Sequence, residues 1–195
     1  MNSSTLDFAI LLFLSLMIIL YTLPRYHNFL PTIPIYNNKE IKLVQQKVNN
    51  RHLVDIHFFE ITDPSVIHAF TDIVDEKQYY LDSLIKQPHI LFIINFFKYT
   101  INRPRPIQLD PSLNVIKSKT NKTPSYPSGH AFQAYYLAYK LSLRYPEKKD
   151  ILYGTAKKCD EARVIGGHHY PSDGAFAKKL VGHIENLNNR FSLSL

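Results

Sequence analysis

The sequence predicts an all-α protein, a helical bundle preceded by one N-terminal hydrophobic helix. Three observations carry that reading. Apolar residues recur at helical spacing through the body, prolines stand where helices begin and loops turn, and few segments alternate as strands do. With 195 residues and one cysteine, Cys159, the chain has room for one compact core and must hold it by packing, without an internal disulfide.

The elements follow in order. Phe8 to Leu23 is an apolar run, FAILLFLSLMIILYTL, bounded by Asp7 and Pro24. As a helix it would extend about 24 Å, somewhat short of the roughly 30 Å of a bilayer core, and Thr5, Leu6, Tyr21 and Tyr26 could extend it. Residues 1–24 therefore read as a membrane anchor. A cleaved secretory signal is the alternative, although no basic residue precedes the run and no small-x-small site follows it. Arg25, Lys39, Lys42 and Lys47 lie after it, so the charge rule places the body on the cytosolic side. The sequon Asn121-Lys122-Thr123 would matter only with the body on the other side. Pro24, Pro31 and Pro34 make residues 25–38 an extended linker, and 39–195 the folded domain.

Within that domain Ile41, Val44 and Val48 mark a first helix, and Pro64 opens a short one through Phe70. Pro88 opens a strongly apolar helix, too short to span a bilayer and so expected to be buried, which stops before Pro104 and Pro106. A long loop then runs to Pro127. Ser128 is placed to cap a helix with Phe132, Tyr135, Tyr136, Tyr139 and Leu143 on neighbouring faces. Further helices fit Lys149 to about Arg163 and Pro171 to about Asn188.

The charge pattern points to an anionic partner. The formal net charge is +7, and between Lys98 and Lys122 six basic residues face one acid, Asp110. Three clusters sharpen this. Lys98 sits near the end of an apolar helix, and Arg105, between two prolines, offers a planar fork suited to a phosphate. Pro127-Ser128-Gly129-His130 joins a helix start with free amides to a hydroxyl and an imidazole. Arg163, His169 and Asp173 complete the set: four residues apart, His169 and Asp173 can meet across a helix start, so the carboxylate orients the ring and frees Nε2 as a nucleophile. A metal site on His168, His169 and Asp173 is the rival chemistry, disfavoured because adjacent loop histidines diverge.

Together, Lys98-x6-Arg105-Pro106, Pro127-Ser128-Gly129-His130 and Arg163-x5-His169-x3-Asp173 resemble the three-part signature of the type 2 phosphatidic acid phosphatase superfamily. That superfamily includes bacterial acid phosphatases, membrane lipid phosphatases and vanadium haloperoxidases. The resemblance implies a helical bundle of the acid phosphatase/haloperoxidase type and metal-independent hydrolysis of a phosphoester through a phosphohistidine. No cofactor is expected, and vanadate would bind as a phosphate analogue. His169 would be the nucleophile, Asp173 its orienting partner and His130 the acid–base. Lys98, Arg105, Ser128, Gly129 and Arg163 would bind phosphate. One departure stands out. The family usually has Ser-Arg where this chain has Ala162-Arg163, which removes a supporting hydrogen bond of about 1.5–3 kcal/mol.

The expected partners are a phosphorylated lipid, such as phosphatidate or an isoprenoid phosphate, or a soluble phosphomonoester, with no nucleic acid. The expected location is a membrane, through the single N-terminal pass, or outside the cell if that segment is cleaved. A vanadium-dependent haloperoxidase and a non-catalytic basic module for anions or lipids are the alternative functions.

Overall fold

The computed structural model describes residues 13–15 and 38–192. The anchor and linker expectations for 1–38 therefore fall almost wholly outside the described residues. Of the apolar run only Phe13 to Ser15 is described, as helix, with the Phe13 ring 5.3 Å from that of Phe92. No described helix is long and apolar enough to cross a membrane.

Within residues 38–192 eight α-helices are described, and no strand is found among the described residues. They are α1 (Asn38–Asn49), α2 (Leu53–Thr62), α3 (Gln78–Ile85), α4 (Pro88–Ile101), α5 (Pro106–Leu109), α6 (Gly129–Arg144), α7 (Lys149–Ile165) and α8 (Pro171–Ser192). The helix expected from Pro64 is a single 3-10 turn, Val66–Ala69. Prolines open α4 at its first turn, where a missing N–H costs nothing.

Helix α6 is the axis of the bundle. Ala131, Phe132, Ala134 to Tyr139 and Leu141 are all buried, so nearly every side of the helix meets protein. Its small residues let α7 and α8 approach, while Phe132 and Leu137, fully buried, each contribute about 1.5–3 kcal/mol of transfer free energy. Leu143 departs from the expected pattern. It is 59% exposed, because the last turn of α6 runs beyond the core.

Helix α4 also departs from expectation. Ile90 and Ile94 reach the core, but Leu91, Phe92 and Phe96 on its outer side are exposed. Seven apolar residues among the eight from Ile90 to Phe97 encircle the helix, and only one side of it has the bundle to pack against.

A second, smaller core clamps the site from above. Val44 and Val48 of α1 pack with Leu113, Val164 and Tyr170, supported by Ile41, Ile107 and Val115. That cluster ties α1 and the 107–115 loop over the C-terminal end of α7 and the start of α8.

Candidate active site

Three short segments converge where α4 ends, α6 begins and α7 turns into α8. Asn102 caps α4 in the left-handed conformation (φ 49°), which turns the chain sharply and brings Arg103 and Arg105 back beneath it. Gly167, at φ 80°, makes the equivalent turn after α7. A Cβ there would also come within 2.8 Å of Val115 Cγ1.

That turn separates the two histidines, as expected of neighbours in a loop. His168 stacks on Phe59, ring centroids 5.2 Å apart, and its Nε2–H donates to the Ile116 carbonyl at 2.8 Å. Its role is to hold the loop. His169 faces the other way, into the cluster. Its Nδ1–H donates to Asp173 Oδ2 at 3.0 Å, across the first turn of α8. This bond places the lone pair on Nε2, where Arg105 Nη1 approaches to 3.2 Å. Burial, followed by the charges of Arg105, Lys98 and Arg163, holds His169 well below the usual imidazole pKa. The ring is neutral and oriented, with its lone pair at Nε2.

The cations surround it. Lys98 is 4% exposed and donates from Nζ to the Pro124 carbonyl at 2.6 Å. Its stem passes close to Gly129, whose added Cβ would lie 3.8 Å from Lys98 Cε. Burial and then the neighbouring Arg105 charge press the Lys98 pKa well down, the signature of a cation short of negative charge. Arg105 is held by donation from Nε to the Thr123 carbonyl and from Nη1 to that of His168. Arg163 is 1% exposed. One corner, Nη2, donates to Asp63 Oδ1 at 2.8 Å, and the guanidinium lies 4.1 Å from the Phe59 ring centroid. Its Nε and Nη1 are buried with no hydrogen-bond partner among the described residues. Buried donors of this kind are costly unless a ligand satisfies them, and the oxygens of a phosphate could accept from them.

At the start of α6 the Ser128 hydroxyl accepts from the Ala131 amide at 3.3 Å, leaving its own proton to donate. The Gly129 and His130 amides occupy the helix's first turn, where geometry provides no intrahelical acceptor. His130 Nε2–H donates to the Asp63 carbonyl at 2.9 Å, so its lone pair is on Nδ1. Burial, then the charge of Arg163, lowers its pKa to about 3. Ala162 is buried at the foot of this arrangement.

The structure thus assembles all eight residues singled out from the sequence and adds four that the sequence reading did not single out for the site. Asp63 accepts from Arg163, Ser118 and Thr120 side chains and from the Lys119 amide. Ser125 donates to Asp173 Oδ2. Arg103 and Glu40 lie behind Asp173 and are treated below. The signal that pointed toward an acid such as Asp63 is indirect: a buried arginine needs a counter-charge. No group of three or more potential metal ligands is found among the described residues.

Residues 89–178 match the model of the PAP2 superfamily, a span holding all eight of those residues. No curated protein matches the chain. Among solved structures it is similar to Aquifex aeolicus LpxE, at 25% identity and a TM-score of 0.54, over 85% of this chain and 100% of that one. It is also similar in fold to a transmembrane PAP2 type phosphatidylglycerolphosphate phosphatase from Bacillus subtilis. There the identity is 17% and the TM-score 0.56, over 95% of this chain and 96% of that one. Residues 89–178, the segment that holds the three convergent cations, are thus similar to the PAP2 superfamily, within a helical fold shared with these solved structures.

Proposed function

We infer that the chain is a phosphatase that hydrolyses a lipid-borne phosphate ester without a metal, through a phosphohistidine on His169. The observation that carries the reading is the oriented His169 Nε2 among Lys98, Arg105 and Arg163, with two Arg163 donors buried and unpartnered.

In the first step the Nε2 lone pair attacks phosphorus and the ester P–O bond breaks. His130, which takes up a proton from solvent at Nδ1 as the substrate's negative charge arrives, gives that proton to the leaving oxygen. In the second, water attacks the phosphohistidine, His130 takes its proton, and the P–N bond pair returns to Nε2. Arg105 covers Nε2 in the ligand-free geometry, so it must move its donor from the ring to a phosphate oxygen as substrate enters. His130 is neutral there, since its pKa is only about 3. A phosphate dianion beside Arg163 offsets part of the positive charge that, after burial, holds His130 down, so substrate arrival raises the proton affinity of the acid that must act. Most of the rate enhancement then comes from positioning and charge stabilisation, as in phosphoryl transfer generally.

A lipid substrate is supported by the exposed apolar side of α4, the exposed Lys117 and Lys119, and the apolar run at 8–23. The LpxE and phosphatidylglycerolphosphate phosphatase likenesses point the same way. On this reading the N-terminal run tethers the domain to the membrane that holds its substrate.

The test is phosphate release by the full chain in mixed micelles with EDTA present, comparing phosphatidate, an isoprenoid diphosphate and a soluble aryl phosphate. EDTA-resistant turnover favouring a lipid, and lost in His169→Ala, is the expected result. Turnover that survives in that variant would overturn the mechanism; preference for the aryl phosphate would overturn the lipid assignment.

A further inference from the structure

Behind the dyad lies a second, largely buried ion cluster. Asp173 is 0% exposed, and its two oxygens divide their work. Oδ2 accepts from His169 Nδ1, the Tyr170 amide and Ser125 Oγ. Oδ1 accepts from Arg103 Nη1 at 2.5 Å. Arg103 is itself 3% exposed, its guanidinium 3.6 Å from the Tyr170 ring centroid. It also donates from Nη1 to Ser172 Oγ and from Nη2 to Glu40 Oε2. Glu40, in the first turn of α1, accepts in addition from the Ser172 amide at 2.9 Å and from Ser172 Oγ at 2.8 Å. A carboxylate from another helix therefore caps the N-terminus of α8, the turn that carries Asp173.

We propose that Arg103 and Glu40 are positioning residues of the His169–Asp173 dyad, Arg103 holding the Asp173 carboxylate in place, and Glu40 fixing Arg103 and the α8 turn from α1. This inference rests on the phosphatase reading for its kinetic consequence, though not for its electrostatic one. Neither residue reaches the ring nitrogen that attacks. Lys98, Arg105 and Arg163 sit on the phosphate side and are engaged when substrate binds, so Arg103 is the cation left to neutralise Asp173 throughout the cycle. Without it the carboxylate is freer to rotate off Nδ1, and Nε2 loses its aim.

The sign of the electrostatic effect follows from the groups around the ring. His169 faces Arg105, Lys98, Arg163 and His168 on one side, and Asp173 with Ser125 on the other; Asp160 of α7 also faces Asp173. Arg103 faces Glu40, Asp173, Ser172 and Tyr170. Removing the Arg103 charge leaves Asp173 less compensated and raises the His169 pKa. Removing the Glu40 charge strengthens the Arg103 field and lowers it.

The experiment uses the full chain as wild type, Arg103→Gln, Arg103→Lys and Glu40→Gln, with histidine NMR titration of the His169 ring beside steady-state kinetics on phosphatidate and inhibition by inorganic phosphate. The His169 titration should move up in Arg103→Gln and down in Glu40→Gln. In Arg103→Gln, kcat should fall about 100-fold, the cost of a misaimed reactive group, while the phosphate inhibition constant stays within about twofold. Arg103→Lys should recover part of that loss. Identical ring titrations in all four proteins would overturn the proposal, as would a parallel loss of kcat, phosphate affinity and melting temperature that lysine does not relieve. If Arg103→Gln does not fold, Glu40→Gln and Arg103→Lys decide by the same titration. A wild type with no turnover would overturn the phosphatase reading instead, and the ring titrations would still judge the positioning roles.

Discussion

Asp63→Asn should push stability and phosphate affinity in opposite directions. Asp63 is 6% exposed and Arg163 1%, and their ion pair is 2.8 Å long. Breaking a buried pair from one side costs about 3–5 kcal/mol, because the remaining charge is stranded. Asparagine keeps an oxygen for Ser118 and Thr120, so the lower end, about 3 kcal/mol, is expected. The stranded Arg163 then presents a full charge to phosphate, where before it was half neutralised. A unit charge removed at about 6 Å in an effective dielectric of about 20 amounts to roughly 3 kcal/mol at most, which caps the gain in phosphate affinity at roughly 100-fold, and about tenfold is expected. Urea unfolding with and without phosphate, together with phosphate inhibition constants, measures both. The variant should be less stable alone and recover disproportionately with phosphate present. A variant that is destabilised and also binds phosphate more weakly would refute the idea that Asp63 holds Arg163 in reserve for the ligand. Wild-type pH dependence gives an independent check. Burial alone would raise the Asp63 pKa, but donation from Ser118 and the charge of Arg163 outweigh it and hold the group at about 2. Its contribution is present above the ordinary carboxylate range and is lost as the pH falls toward 2.

Other substitutions test separate parts of the structure. His169→Ala should abolish turnover while keeping part of the affinity for phosphate, read by inhibitor binding, since Lys98, Arg105 and Arg163 remain. Gly166→Ala should destabilise by about 1–3 kcal/mol in thermal unfolding, because the new Cβ would come within 2.4 Å of the Phe59 ring, which is wedged beneath Arg163 and His168. Asp160→Asn should stabilise more at pH 8 than at pH 5. Burial, then the charge of Asp173, raises the Asp160 pKa to about 7, so its folded-state penalty is absent below the ordinary carboxylate range, grows as the pH rises from there and is complete above about 7. Equal stabilisation at both pH values would remove that explanation.

The bundle and the eight-residue site were legible because both are written in local patterns. A proline, an apolar repeat and a capping serine each act within one turn, and the three motifs hold their residues at fixed short spacings. What escaped was encoded at long range. Arg163 meets Asp63 across 100 positions, Arg103 meets Asp173 across 70, and Ser172 meets Glu40 across 132. Neither Asp63 nor Glu40 belongs to a motif, and Arg103 read as one more charge in a basic loop. Helix α2 escaped for a different reason. Its apolar residues lie on several sides, with Leu53 and Val54 exposed and Phe59 buried, so no single stripe announces it. The exposed flank of α4 was misread for the converse reason: apolar character all around a helix says that it avoids water, not that protein covers it. The two failures share a cause. Local pattern reports what a residue needs, a counter-charge for Arg163 or apolar surroundings for Phe92, whereas only the assembled fold reports what meets the need. Asp63 meets the first and Arg103 the matching need of Asp173, so two long-range ion pairs decide whether three cations can sit together around one neutral histidine.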